Sequence, residues 1–469
     1  MDPNNQPHYP NPDSTLPFWR TQPHELDNYR SSKNLPTDCD VLIIGAGYAG
    51  AATAYHLYDE DPSPPSIVLL EARQACSGAT ARNGGHLRPE VYFGMSDYIE
   101  KHGMEAAAEI SNHEVAHIQA IKRLVEKEQI DCDFTLTRTF DVFLDEAFAN
   151  KSKGAYDSMV KRGLTSIQDA HFTPAKYAKR VSGVKAAKGC FSFTAAHLWP
   201  YKLIMHLLGL AITKGLNLQT HTPVTHVSST ADADGRSTVT TPRGIIKAKK
   251  IVFASNGFTA GLLPEYSQKI VPCRGLCCRI VTPDPTKAPY LNNTYTLRAG
   301  PGLYDYLIPH VDGSIIVGGA KSAMSKDNSV WYDNSDDSTL VEPAKEYFDE
   351  YMQRRFVGWE DSGAYVDQVW TGNCLSWTDS ASIPVVMGYT ADLQPHVGPI
   401  PNRPNQYVLA GFNGHGMPVI FLAAKGVAEM IRHGKTFEQT GLPRVYRTTE
   451  ERLGSDENLI FRKAQPDAR

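Results

Sequence analysis

The chain lacks a basic run. Its 469 residues carry 47 Lys and Arg against 51 Asp and Glu, a formal net charge of −4. Nucleic acid binding rests on neutralising phosphates, and a slightly acidic chain without a cationic stripe has little means to do so, so no nucleic-acid partner is expected. Long apolar runs are missing too. Nothing approaches the ~20 residues of a membrane span; the longest candidates lie at 41–44 and near 203–212. The opening Met1-Asp-Pro-Asn-Asn-Gln is polar and has no apolar signal core, so a cytoplasmic location without a membrane partner is the expectation. Cysteine is sparse: eight, at 39, 76, 132, 190, 273, 277, 278 and 374, are too scattered for a disulfide framework. Cys273, Cys277 and Cys278 share a strand-like run with no second Cys or His pair beside them, which argues for structural cysteines and no metal site.

Glycine, by contrast, is placed with purpose. Val41-Leu-Ile-Ile is a β-branched and aliphatic run suited to a strand buried on both faces. It leads into Gly45-Ala-Gly47-Tyr-Ala-Gly50. The first glycine permits a tight turn, the second lets a pyrophosphate approach the backbone, and the third lets the next helix, expected over 48–58, pack on the strand. A second strand, Ser66–Leu70, ends at Glu71, 21 residues after Gly50, where an acceptor for a ribose hydroxyl belongs. The following loop, Ser77 to Pro89, is so rich in small residues that its backbone must pack against something flat or bulky; a flavin would serve. Far downstream, Gln406–Ala410 reads as a strand, Gly411–Gly416 as a glycine-rich turn, and Pro418–Arg432 as a helix whose N–H groups can aim at the same cofactor.

Between these ends the chain divides into short elements. Residues 1–38 form an extension with a disordered first dozen and an aromatic patch, Phe18-Trp-Arg20, that docks on the body. A helix is expected over 95–130, with Val115, Ile118, Ile121 and Val125 as its apolar stripe. Strands follow at 132–146 and 216–220, with a helix over 203–214 between them. A meander at 224–248 precedes the buried strand Lys250–Phe253, whose exit, Ala254-Ser-Asn-Gly257, returns to the nucleotide sheet. Strands at 270–282 and a hairpin over 303–319, turned at Asp312-Gly313, come next. A helix near 341–355, which separates the hairpin from Asp367–Gly372, and a polar tail from 440 complete the chain.

Together these motifs resemble the D-amino acid oxidase, glycine oxidase and sarcosine oxidase family of flavoproteins, over roughly 38–435. The γ-glutamylputrescine oxidoreductase-like members carry a loop comparable to Arg82-Asn-Gly-Gly85. The resemblance implies an α/β fold: a Rossmann-type FAD-binding domain of glutathione-reductase-like topology, assembled from 39–92, 190–262 and 385–440, with an α+β substrate domain of antiparallel sheet from 93–189 and 263–384. Residues 441–469 are left as a tail. It implies FAD as cofactor, held by Gly45, Gly47, Gly50, Glu71, Arg73, Arg82, Asn83, Gly84, Gly85, Val224, Gly411, Asn413, Gly414 and Gly416. His86, Arg88, Tyr306, Trp370 and His415 are the residues expected around the substrate. The implied reaction is hydride removal from the carbon beside an amine, giving an imine, with oxygen or another acceptor taking the electrons. A neutral amine loses hydride readily, which explains why no triad or carboxylate pair stands out.

Four departures accompany the resemblance. The run Val385-Val-Met-Gly-Tyr-Thr390 lacks the cysteine that holds flavin covalently in sarcosine oxidases, so non-covalent FAD is expected, with His86 as an alternative link. Pro418 stands where those relatives place a carboxylate-binding lysine, and Met387–Pro399 has no arginine, leaving Arg88 and Arg274 as candidate anion partners. Ile315–Val317 is apolar where an oxygen-activating lysine would fall; Lys321 is nearby. Asn373–Val386 is an apparent insertion, read equally as a lid or a surface loop. Two rivals stay open: a tailoring enzyme acting on a larger scaffold, and an FAD-binding regulatory protein without turnover.

Overall fold

The computed structural model describes residues 9–11, 14, 16–59, 63–324, 327–339, 341, 346–370 and 385–460. The helix expected near 341–355 lies partly outside them, and the inserted segment after Gly372 almost wholly so. Where that helix is described it spans only Tyr351–Arg355.

The first sheet is built on β1 (Asp38–Ile44), flanked in parallel by β2 (Ile67–Leu70) and β10 (Gly244–Phe253). Parallel neighbours β7 (Asn217–Gln219) and β18 (Gln406–Ala410) extend it on either side. β17 (His396–Pro399) closes one edge antiparallel to β18. β8 (His226–Val227) and β9 (Ser237–Thr241) form the meander on β10, so the two strands expected at 244–248 and 250–253 are one. Val41, Leu42 and Ile43 are all buried, as a strand covered on both faces requires. On one face the Tyr48–Tyr58 helix carries Ala51, Ala52 and Ala54. These small side chains let it sit close against the helices Pro200–Thr213 and Ile420–His433.

The second sheet runs β15 (Tyr365–Trp370), β11 (Ile270–Val281), β14 (Ile315–Gly319), β13 (Leu303–Pro309), β12 (Thr294–Gly300), β4 (Thr135–Phe143), β6 (Gly189–His197) and β3 (His86–Leu87). β16 (Val385–Thr390) pairs with the start of β11, and β5 (His171–Pro174) with β6. All pairs are antiparallel except β12 with β4. The hairpin turned at Asp312-Gly313 is present, while β12 adds a strand the sequence reading did not contain.

Three expectations are corrected here. Strand β6, assigned from sequence to the nucleotide-binding segments, pairs along its whole length with β4 in the second sheet. The apolar stripe of the long helix, Met95–Lys127, is rotated: Ile118 and Ile121 are buried, but Val115 is exposed, and Ile110, Glu114, His117 and Leu124 complete the inner face. The segment after 440 is not a free tail. Tyr446 is fully buried with its ring against His113, and Arg452 holds Asp392 through two hydrogen bonds. The aromatic patch near the start docks as expected. Phe18 and Trp19 enter a cluster with Trp199 and Trp370, and Arg20 is paired with Asp27. Among the described residues no helix is long and apolar enough to cross a membrane, and no group of three His, Cys, Asp or Glu could hold a metal. The seven described cysteines are free and buried; Cys374 lies outside the described residues.

Candidate active site

Two cavities meet between the sheets. The larger, about 380 Å³, runs over the ends of β1, β2 and β10 and is walled by Gly45, Gly47, Glu71, Thr80, Asn256 and Gly414 among others. Parallel strands all point their C-terminal ends at it, which is where open α/β sheets bind ligands. Gly45 leaves β1 at φ +110°, and a Cβ there would lie 2.6 Å from the Ala254 carbonyl oxygen. A Cβ at Gly50 would lie 1.9 Å from the Gly45 carbonyl oxygen, so Gly50 serves helix packing and does not line the cavity. Tyr48, at the start of the helix, donates its main-chain N–H to Thr80 Oγ1 at 2.9 Å. Glu71 is fixed from two sides: Oε2 accepts Ala46 N–H at 2.8 Å and Oε1 accepts Arg73 N–H at 3.0 Å. Both oxygens keep lone pairs for a ligand hydroxyl. The glycine cradle and the carboxylate at the end of β2 fit a dinucleotide.

Of the other residues expected to hold a cofactor, Arg73, Asn83, Val224 and Gly416 line this cavity. Arg73 is also paired with Asp337 at 2.7 Å and donates to the Asn11 carbonyl. Gly84 and Asn413 line the neighbouring pocket instead. Asn413 lies at φ 55° and its Oδ1 accepts Thr390 N–H at 2.7 Å, so it shapes the glycine turn. Arg82, Gly85 and Gly411 line neither cavity. Arg82 is fully buried, its Nε donates to the Ser77 carbonyl at 2.9 Å, and burial draws its pKa down to about 9; it braces the loop from behind.

The smaller pocket, about 190 Å³, shares Asn83, Phe412, Gly414 and Met417 with the larger one. Four of the five residues expected around the substrate line it: His86, Arg88, Tyr306 and His415. Trp370 does not. It is 0% exposed in the aromatic core, and its indole donates to the Arg82 carbonyl at 2.9 Å, so its role is to hold the loop. His86 Nε2 is 2.8 Å from Thr294 Oγ1; burial, reinforced by Arg88, keeps its pKa well below that of a free imidazole. The Tyr306 ring lies close against two glycines. A Cβ at Gly318 would come within 2.1 Å of it and one at Gly84 within 2.6 Å.

The polar wall was not legible beforehand. Asp141 Oδ2 accepts from Arg88 Nη2 at 2.6 Å, Arg298 Nη2 at 2.9 Å and the Tyr92 hydroxyl at 2.8 Å. Burial opposes ionisation of Asp141, but the Arg298 and Arg88 charges and hydrogen bonds outweigh it and hold the carboxyl far below the usual range. The Arg298 guanidinium stacks over Phe93 at 3.6 Å and that of Arg88 lies over Phe193 at 5.0 Å. Opposite, Glu114 Oε2 accepts from His415 Nε2 at 2.8 Å and from Glu90 N–H at 2.6 Å. Glu114 had one readable signal: it is four residues before Ile118 and seven before Ile121, an acid within a helix's apolar register. Asn256 was named only as part of a strand exit, yet its Oδ1 accepts Gly411 N–H at 3.1 Å and so ties that exit to the late glycine turn. Arg274, an alternative anion partner, donates to the Thr339 carbonyl and lines neither cavity.

Known proteins agree with this architecture. The chain is 24% identical over 400 residues to γ-glutamylputrescine oxidoreductase of Escherichia coli, covering 84% of each. It is also 24% identical over 412 residues to human mitochondrial dimethylglycine dehydrogenase, covering 84% of this chain and 43% of that one. The crystal structure of glycine oxidase from Geobacillus kaustophilus superposes with a TM-score of 0.67 at 18% identity, covering 85% of this chain and 96% of the other. L-Amino acid deaminase from Proteus myxofaciens gives 0.67 at 14%, covering 94% and 98%. Residues 40–430, most of the chain and the whole of both cavities' glycine framework, match the model of one family, and the protein is thereby a member of it: the DAO family of FAD-dependent oxidoreductases.

Proposed function

We propose that this FAD-dependent oxidoreductase oxidises the CH–NH group of a small amine or N-substituted amine to an imine, which water then hydrolyses. The observation that carries the reading is the junction of the two cavities: a polar pocket opens on the cofactor cavity through Asn83, Phe412, Gly414 and Met417. FAD, when bound, supplies the hydride acceptor. Glu71, the Gly45–Gly47 turn and the late glycines Gly414 and Gly416 would hold it. The protein's own work is on the substrate. Arg88 and Arg298, locked on Asp141, form a rigid charged wall, and Phe93, Tyr98, Tyr304 and Tyr306 exclude water around the reacting carbon. γ-Glutamylputrescine oxidoreductase and dimethylglycine dehydrogenase, by their names, act on amines of this kind, which supports the reading.

A pocket of about 190 Å³ favours a small substrate over the larger scaffold of a tailoring enzyme. Built acid, base and guanidinium groups around it favour turnover over a purely regulatory role. Attachment of FAD is read as non-covalent, since His86 lines only the smaller pocket and its Nε2 is engaged by Thr294. The two sheets support a division into a cofactor half and a substrate half, with 189–197 moved to the latter. A cytoplasmic enzyme is part of the same proposal. The test is product analysis: incubation of the flavin-loaded protein with a panel of primary, secondary and N-methyl amines, with mass detection of the carbonyl compound. Reoxidation by dioxygen, timed against an artificial dye, assigns the acceptor. A panel that yields no carbonyl product refutes the amine reading.

A further inference from the structure

His415 offers the smaller pocket a proton acceptor whose tautomer is fixed by its neighbours. The Glu114 carboxylate is an acceptor only, so the contact at 2.8 Å requires the proton on His415 Nε2. The neutral ring then presents an unprotonated Nδ1. No hydrogen bond reaches Nδ1 among the described residues, and the side chain is 38% exposed while lining the pocket. Glu114 is itself anchored. It is 2% exposed on the inner face of the Met95–Lys127 helix, and Glu90 N–H holds the same oxygen at 2.6 Å.

The other groups on the wall are less fit to take a proton. Asp141 is fully buried, does not line the pocket, and its Oδ2 is held by the guanidiniums of Arg88 and Arg298. Glu90 accepts Phe93 N–H through Oε1 and lies 3.9 Å from Arg88 through Oε2. His86 is bonded to Thr294, and a positive charge there would lie buried beside Arg88. Tyr98, Tyr306 and Tyr446 are held protonated by burial, and Tyr304 is the remaining phenol.

We propose that His415 Nδ1 accepts the proton of the substrate ammonium, with Glu114 as the positioning residue that fixes the imidazole and balances the imidazolium. The inference rests on the amine reading above. In the step, the substrate N–H bond breaks, an Nδ1–H bond forms, and the electron pair stays on the amine nitrogen, beside the carbon that gives up hydride. The exposed edge of His415 then returns the proton to solvent.

The test is the pH dependence of anaerobic flavin bleaching in holoenzyme of the wild type, His415→Ala, His415→Gln and Glu114→Gln, with the panel amine that reduces the wild type fastest. His415→Ala is expected to be about 100-fold slower, the low end for a lost general base. It should lose the acid limb of the profile and regain rate with free imidazole; His415→Gln, which keeps the bulk, should be slow without rescue. Glu114→Gln removes the carboxylate that fixes the imidazole at 2.8 Å, so it should slow bleaching while leaving His415 in place. A readout without turnover is the ¹⁵N shift of His415 in histidine-labelled oxidised holoenzyme, expected to show protonated Nε2 and bare Nδ1. An unaltered acid limb in both His415 variants, or the opposite tautomer, overturns the proton acceptor alone. A wild type reduced by no amine overturns the amine reading and this inference with it.

Discussion

Replacing Asp141 by Asn isolates the electrostatics of the substrate wall. Asp141 is fully buried and both guanidiniums that it neutralises, Arg88 and Arg298, are nearly so. Asn is isosteric and keeps one acceptor, so packing changes little while two buried cations lose their counter-charge. Breaking a buried pair from one side costs about 3–5 kcal/mol. The sign of the pH dependence follows from the depressed carboxyl of Asp141. A group whose folded pKa is lowered contributes stability that is complete above its unfolded pKa, ~3.9, and fades as pH falls through the folded one. The deficit of Asp141→Asn should therefore be flat from neutral pH down to mildly acidic pH and shrink only in strong acid. The assay is urea denaturation of wild type and variant, followed by tryptophan fluorescence at several pH values. Adding Arg298→Met to Asp141→Asn should recover part of the loss, because one of the two orphaned charges is gone. A single variant within about 0.5 kcal/mol of wild type at neutral pH, the range of ordinary surface changes, would refute the account of this wall.

Glu71→Gln keeps the side-chain shape but weakens a charged acceptor worth ~1.5–3 kcal/mol to a hydroxyl; FAD affinity, measured by fluorescence quenching of the reconstituted apoprotein, should fall at least tenfold. Gly45→Ala puts a Cβ 2.6 Å from the Ala254 carbonyl oxygen at φ +110°, so it should both lower the denaturation midpoint and abolish flavin retention on gel filtration. Trp370→Phe removes the hydrogen bond to the Arg82 carbonyl from a dry core. It should cost ~1 kcal/mol of stability while leaving the amine KM unchanged, which separates its core role from a pocket role. Tyr9 lines the cofactor cavity and its hydroxyl donates to the Gly261 carbonyl at 3.1 Å, so Tyr9→Ala should accelerate flavin release on dilution.

What the sequence disclosed and what it withheld follow from locality. Val41–Gly50, Glu71 and Gly411–Gly416 were legible because each motif's meaning is set by its own backbone: a strand, a turn that only glycine fits, a helix start. The Tyr48–Tyr58 helix falls where the glycines require it. Asp141 and Arg298 were not legible, since they are 157 residues apart in the chain and become a pair only when β4 lies parallel to β12. Glu114 was hidden by a stripe drawn one residue out of phase, which made Val115 the inner residue. Trp370 was misplaced for the opposite reason. A large aromatic near the expected pocket also satisfies the core, and burial beside Phe18 and Trp19 decided it. Tyr446 sits in a segment of polar composition whose few apolar residues carry its docking.

The most direct test of the central claim is an anaerobic titration of the flavin-loaded protein with amines, read at the oxidised flavin band, with dithionite as the control reductant. A pocket that delivers an amine C–H bond to the cofactor cavity predicts stoichiometric bleaching by at least one small amine, reached about 100-fold more slowly in His415→Ala at neutral pH. Flavin that dithionite reduces but no amine bleaches, or a protein that takes up no FAD at all, would contradict it.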